Sequence, residues 1–220
     1  MTITKTKKNE DRNLAIDFAH TVLDNKNEFV ILDTETTGLG NTDVIVQIGI
    51  IDLDGNTLLD TLIKPTKKKQ MPSDAKNIHG ITMKMLSDAP SFQEVYPKFL
   101  EIIKNKYMLI YNAEFDGRLL QQTMIQDGNY STISGKGVCI MKYYSKFIGN
   151  WSDYHNDYTY VKLPEGDHSS IGDCKATLTV INKMYNAIKK PTPSKSIVNN
   201  DKPQEKEIIN TLKKWWEFWK

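Results

Sequence analysis

The 220-residue chain, 39% apolar, carries enough material for one sizeable buried core, so one domain with appendages is the expectation. Its 29 Lys and Arg against 27 Asp and Glu leave a net charge of +2, which excludes a protein that coats nucleic acid by bulk attraction; any such contact must be local. Residues 1–25 are polar and charged, and nowhere do about 18 apolar residues run together, so neither a signal peptide nor a spanning helix is expected, membrane contact is not expected, and a cytoplasmic location is.

Along the chain, Ala15, Phe18, Ala19 and Val22 recur at helical spacing and predict an amphipathic helix over residues 10–23 that packs against the domain. Phe29 to Thr34 is a short apolar run that reads as a strand. Residues 44–53 and 57–64 are strand-like and flank Asp54-Gly55, a hairpin signal, so three antiparallel strands open the fold. The densest basic cluster, Lys64 with Lys67, Lys68 and Lys69, reads equally as a local contact or as a solvated loop. Ser91 to Glu94 has the form of a capping box and precedes Val95, Phe99, Ile102 and Ile103 on one helical stripe. Residues 108–111 then predict a strand, 114–124 a helix and 138–141 a further strand. From Ser170 onward Cys174, Leu178, Ile181, Tyr185 and Ile188 mark a helix whose apolar stripe faces the sheet. Periodicity thus gives βββαβαβα, an α/β protein.

Between these elements, Tyr143, Tyr144, Phe147, Trp151, Tyr154, Tyr158 and Tyr160 form an aromatic-dense stretch that reads first as core cover and second as stacking surface for unpaired bases. Cys139 and Cys174 are isolated from any Cys-x-x-Cys pair and are expected to be reduced core residues. His20 and His155 lack any catalytic context and read as structural or solvated. Residues 191–207, rich in Pro, Ser, Asn and Lys, have the composition of a flexible linker. Beyond them Ile208, Ile209, Leu212, Trp215, Trp216 and Trp219 fall on one stripe of an amphipathic helix. That helix could fold back on its own domain, dock on a partner such as a polymerase or clamp, or lie on a membrane; a protein contact, own or foreign, is the favoured reading.

The chemistry sits in four carboxylates and one histidine in fixed order: Asp33 and Glu35 in DTETTG, Asp116 in NAEFD, His168 and Asp173 in HSSIGD. Singly, each has an ordinary explanation as a strand-edge acid, a helix cap or a solvated loop histidine. Jointly they are what a two-cation phosphodiester site needs: several hard oxygen ligands and a base for the attacking water. Two residues apart on a strand, Asp33 and Glu35 point to one face. Asp116 lies at a helix start just after a strand, and Asp173 one turn inside another helix. His168, five residues before Asp173, falls about 140° around an ideal helix from it and therefore belongs on the entering loop or first turn.

These motifs, with IHGIT at Ile78 to Thr82, resemble the DEDD superfamily of 3′→5′ exonucleases in its histidine branch, and most nearly the epsilon-type proofreading and DnaQ-like enzymes. The likeness spans residues 29–187. It implies a ribonuclease H-like α/β fold, a mixed sheet of three antiparallel strands followed by parallel ones, flanked by helices. Together with the composition and periodicity read above, it divides the chain into an arm and helix over residues 1–27, an exonuclease domain over 28–190, the linker 191–207 and the Trp-rich helix 208–220. It further implies two divalent ions, Mg²⁺ or Mn²⁺, one held by Asp33, Glu35 and Asp173, the other by Asp33 and Asp116, with His168 as general base. By the same carry-over, the backbone at Thr34 and Thr36 meets the terminal 3′ hydroxyl, His79 holds the terminal nucleotide, Asp74 stands where the pattern often has Glu, and Asn112 opens the second motif. The expected partner is a nucleic acid 3′ end, single-stranded DNA before RNA. The motifs do not report the 2′ hydroxyl, so an RNA-trimming enzyme is the alternative. A binding protein that kept the fold without the chemistry would normally have lost a carboxylate, and none is lost.

Overall fold

The computed structural model describes residues 3–67, 70–129 and 136–192; the Lys68–Lys69 part of the basic cluster, most of the expected linker and the Trp-rich C-terminal helix lie outside them. The Thr4 hydroxyl accepts the Lys7 N–H at 3.1 Å and opens α1, Lys5–Asp24, which starts before the expected residue 10 and well ahead of its apolar stripe. Phe18, Ala19 and Val22 on that stripe are fully buried.

Three strands follow: β1 Phe29–Thr36, β2 Ile45–Ile51 and β3 Thr57–Leu62, antiparallel in register with the turn at Asp54-Gly55, where Gly55 has φ +87°. A short helix that the periodicity did not announce, α2 Ser73–His79, ends on Gly80 in the left-handed region. In α3, Phe92–Ile103, the capping box is present as read. Then come β4 Tyr107–Ile110, α4 Ala113–Gln126 and β5 Lys136–Cys139, with β4 pairing parallel to both β1 and β5.

The chain corrects the sequence reading most between β5 and the last helix. The strand expected to run to Met141 stops at Cys139, and α5, Ile140–Ile148, begins at once. A two-residue hairpin, β6 Trp151–Ser152 with β7 Asp157–Tyr158, precedes α6, Ser170–Tyr185. Ile188, expected on the stripe of α6, lies beyond its end and is 88% exposed.

The five-stranded sheet has the order β3-β2-β1-β4-β5, a mixed ribonuclease H-like arrangement with β1 at its centre. Side chains alternate across it. Phe29 and Ile31 of β1 pack with α1, α5 and α6, whereas Val30 and Leu32 pack with α3 and α4. Much of the aromatic stretch serves the first of these layers: Tyr143 stacks on Phe18 at 3.7 Å, and the Tyr158 hydroxyl donates to the buried Asp11 carboxylate at 2.9 Å. Tyr154, by contrast, is 92% exposed. Both cysteines are buried and unpaired. No helix among the described residues is long and apolar enough to cross a membrane.

Candidate active site

The alternation that buries Phe29 and Ile31 carries on to Asp33 and Glu35, which therefore emerge on the α6 side of β1 near its C-terminal end. Opposite Asp33 in the antiparallel ladder stands Gly49 of β2. A Cβ at Gly49 would lie 2.7 Å from the Ser170 hydroxyl oxygen and 2.8 Å from the Ser170 carbonyl carbon, so the missing side chain is what lets α6 begin directly on the sheet. The Cys174 thiol, one turn on, points at the Ile31 and Gly49 carbonyls at 3.6 and 3.5 Å. This seat brings Asp173, in the first turn of α6, to β1: carboxylate oxygens of Asp33, Glu35 and Asp173 lie within 4.8 Å of one another.

Asp116 arrives from the other layer. It sits in the first turn of α4, 5% exposed, and its carboxylate accepts the Thr34 hydroxyl at 2.7 Å. It stands outside the group of three, yet after burial it is the charge that weighs most on Asp33. Burial and mutual repulsion push all of these acids up. Asp33 rises well above the usual carboxylate range, chiefly through desolvation and then through Asp116, Asp173 and Glu35. Desolvation, with Asp173 and Asp116, takes Glu35 from 4.5 to about 8. Desolvation likewise takes Asp116 from 3.8 to about 7 against the opposing Thr34 bond, and raises Asp173 against the N–H bonds it receives. None of the ion pairs among the described residues reaches these four acids. Buried carboxylates crowded without a protein cation form a donor set that fits hard divalent ions.

The loop before α6 wraps around Asp173. Its Oδ1 accepts the backbone N–H groups of Asp167 at 3.0 Å and His168 at 3.2 Å. His168 has φ +59°, a left-handed conformation uncommon outside glycine although histidine adopts it more readily than most residues, and its side chain is exposed. The sequence reading of a loop position is therefore what the structure has. His79, at the end of α2, uses both ring nitrogens: Nδ1 accepts the Ile81 N–H at 3.0 Å, so Nε2 carries the proton that it donates to the Thr36 carbonyl at 3.1 Å. Burial holds its pKa below the ordinary value, with the Thr36 bond opposing and nearby His168 adding to the fall. Thr36 donates its hydroxyl to the Gly38 carbonyl at 3.0 Å. Asn112 is the N-cap residue of α4 by its backbone carbonyl, with no side-chain cap bond. Asp74 is exposed on α2, within 3.3 Å of the Ser73 hydroxyl.

Four contributors were not read from the sequence: the Thr34 side chain as partner of Asp116, Gly49 as the seat of α6, and Asp167 with Gly172 in the loop. Of these only Gly172 had a visible signal, since a glycine stands inside the third motif, in what is expected to be a helical turn, where that residue is otherwise unfavourable.

Residues 30–181 match the family model described as RNase_T, exonuclease. An uncharacterized exonuclease, CP81, of Escherichia phage 186 is 32% identical over 171 residues, spanning 70% of this chain and 87% of the phage protein. The DNA polymerase III epsilon subunit of Buchnera aphidicola subsp. Schizaphis graminum is 36% identical over 110 residues, 46% of each chain, so this chain spans under half of that relative. The nuclease domain of 3′hExo, described as a DEDDh family member and bound to rAMP, shares the fold at TM-score 0.54 and 17% identity, over 71% of this chain and 90% of that one. With four acids and a histidine gathered at the end of β1 on an RNase H-like sheet, the chain belongs to the RNase_T exonuclease family.

Proposed function

We propose that the chain is a metal-dependent 3′→5′ exonuclease that releases nucleoside monophosphates from single-stranded or frayed DNA ends, in replication proofreading or repair. The observation that carries this reading is the meeting of Asp33, Glu35 and Asp173 within 4.8 Å, delivered by elements that also bring Asp116 and His168 to the same strand end. Two divalent ions, Mg²⁺ or Mn²⁺, would be held by Asp33, Glu35 and Asp173 and by Asp33 and Asp116. When bound they would neutralise the crowded carboxylates and act as Lewis acids toward the phosphate. His168 takes a proton from the attacking water as the water oxygen bonds to phosphorus and the bond from phosphorus to the O3′ of the penultimate nucleotide breaks.

The remaining residues position the substrate in this proposal. The backbone at Thr34 and Thr36, with Glu35, meets the terminal 3′ hydroxyl. His79 packs against the terminal nucleotide through its ring face, because both nitrogens are already engaged. Asp74 and Asn112 line the approach. The likeness to an epsilon subunit favours DNA over RNA and a polymerase as one partner. Ile208 to Lys220 would make a protein contact, and residues 28–190 would hold the full catalytic apparatus.

The test compares initial rates on 3′-labelled single-stranded DNA, duplex DNA with a 3′ mismatch, and RNA, with Mg²⁺, Mn²⁺ or a chelator. Mononucleotide release from single-stranded and mismatched DNA, lost with chelator and reduced to background by Asp116→Ala at an unchanged melting temperature, is the expected result. Full activity of Asp116→Ala would sink the metal site, and hydrolysis of RNA alone would transfer the reading to RNA trimming.

A further inference from the structure

Asp167 is exposed and belongs to none of the motif positions, yet it is the hub of the loop that carries His168. Its Oδ1 accepts both the Ser169 N–H at 3.0 Å and the Ser169 hydroxyl at 2.7 Å. Ser169 Oγ in turn accepts the Gly172 N–H at 3.1 Å and caps α6. The side chain of Asp167 lies so close over the first turn of α6 that a Cβ on Gly172 would fall 1.9 Å from Oδ1. On the other side, the backbone N–H groups of Asp167 and His168 both reach Asp173 Oδ1. His168 is therefore tied from both flanks, and its φ of +59° is a conformation that an untied chain would leave.

We infer that Asp167 is a positioning residue for His168: by accepting from Ser169 across Gly172, it fixes the left-handed turn that aims the imidazole at the water beside Asp173. Asp167 stands outside the group of three carboxylates that could hold a metal ion. The inference rests on His168 being the base and goes beyond it by naming what holds the base in place. The acceptor at Oδ1 does the holding and the charge does not, so Asn can replace Asp and Ala cannot. A side chain at Gly172 would push Oδ1 off Ser169, although alanine would favour a helix almost anywhere else.

The experiment measures kcat and KM of the full chain on a short single-stranded oligonucleotide for Asp167→Ala, Asp167→Asn and Gly172→Ala, each alone and combined with His168→Ala. Melting temperature is recorded for every variant. A displaced catalytic group loses on the order of 10- to 100-fold in rate, so Asp167→Ala and Gly172→Ala should lose that much in kcat with KM within about twofold. Asp167→Asn should stay within about threefold of the parent. In the His168→Ala background the same changes should cost less than about twofold, because the group they aim is gone. Equal losses for Asn and Ala would overturn the inference in favour of a charge effect. An undiminished loss in the His168→Ala background would overturn it in favour of a structural role. A His168→Ala variant with near-normal kcat would instead remove the base itself, a failure distinct from failure of the positioning.

Discussion

The two helices that deliver carboxylates to the centre do so by unlike means. α4 buries Asp116 and anchors it to the central strand itself, through the Thr34 hydroxyl. α6 leaves Asp173 partly open and ties it to a loop, through the N–H groups of Asp167 and His168. The strand-anchored acid is set by a regular element, which holds a side chain more precisely than a loop does. The loop-anchored acid receives its bonds from the same loop that carries His168.

The largest disturbance should come from the seat of α6. Gly49→Val would drive a side chain into Ser170, with strain of about 1–3 kcal/mol and a displaced first turn. We expect kcat to fall by at least about 10²-fold, since both Asp173 and His168 move with that turn. Retained activity would mean that the seat is not what places them, and rate with melting temperature decides it.

Breaking the other anchor should do less. Thr34→Val preserves shape and removes the donor to Asp116, a bond to a charged group worth about 1.5–3 kcal/mol. Because that bond opposes the rise in the Asp116 pKa, its loss should leave the acid harder to ionise. The divalent-ion concentration for half-maximal rate is expected to rise roughly tenfold, with kcat at saturation little changed. A fall in kcat without a change in metal requirement would transfer Thr34 to substrate contact.

How much of this was legible beforehand differs between the layers. The strand pair, the hairpin at Asp54-Gly55 and the capping box at Ser91 follow from local rules of period, turn and cap, and the five motif residues from their joint order and their likeness to a known family. The start of α5 did not, because Val138 to Met141 is continuously apolar and holds no breaker where strand becomes helix. Ile188 failed for the opposite reason: helical spacing continues past Tyr185 although the helix does not. Gly49, Thr34 and Asp167 act across contacts between segments far apart or irregular in conformation, which periodicity cannot register.

The smallest effect separates the acids from their ions. A carboxyl whose pKa is raised by folding holds its proton more tightly folded than unfolded, so its contribution to stability is present below the unfolded value and is lost as pH rises through the folded one. For Glu35 and Asp116 that window runs from about 4 to about 7–8. In chelator, the melting temperature should therefore fall across this range. Added Mn²⁺ or Mg²⁺ should raise it more at pH 8 than at pH 5, with each 1 kcal/mol giving about 2–4 °C in a protein of this size. A melting temperature in chelator that climbs from pH 5 to 8 would contradict the crowding of unpaired acids.

The family match begins at residue 30, after α1, yet Phe18 of α1 stacks on Tyr143, Asp11 holds Tyr158, and Asn9, Arg12 and Asn13 donate to the carbonyls of Pro191, Ile188 and Lys190. The unit recognised by likeness and the unit that buries its own core are therefore different lengths of chain. A fragment cut to residues 30–181 would keep every acid of the site and still bare the apolar flank of α5 and α6, turning a wall of the core into a sticky surface. For this protein, the helix that contributes nothing to the chemistry decides whether the chemistry can be isolated.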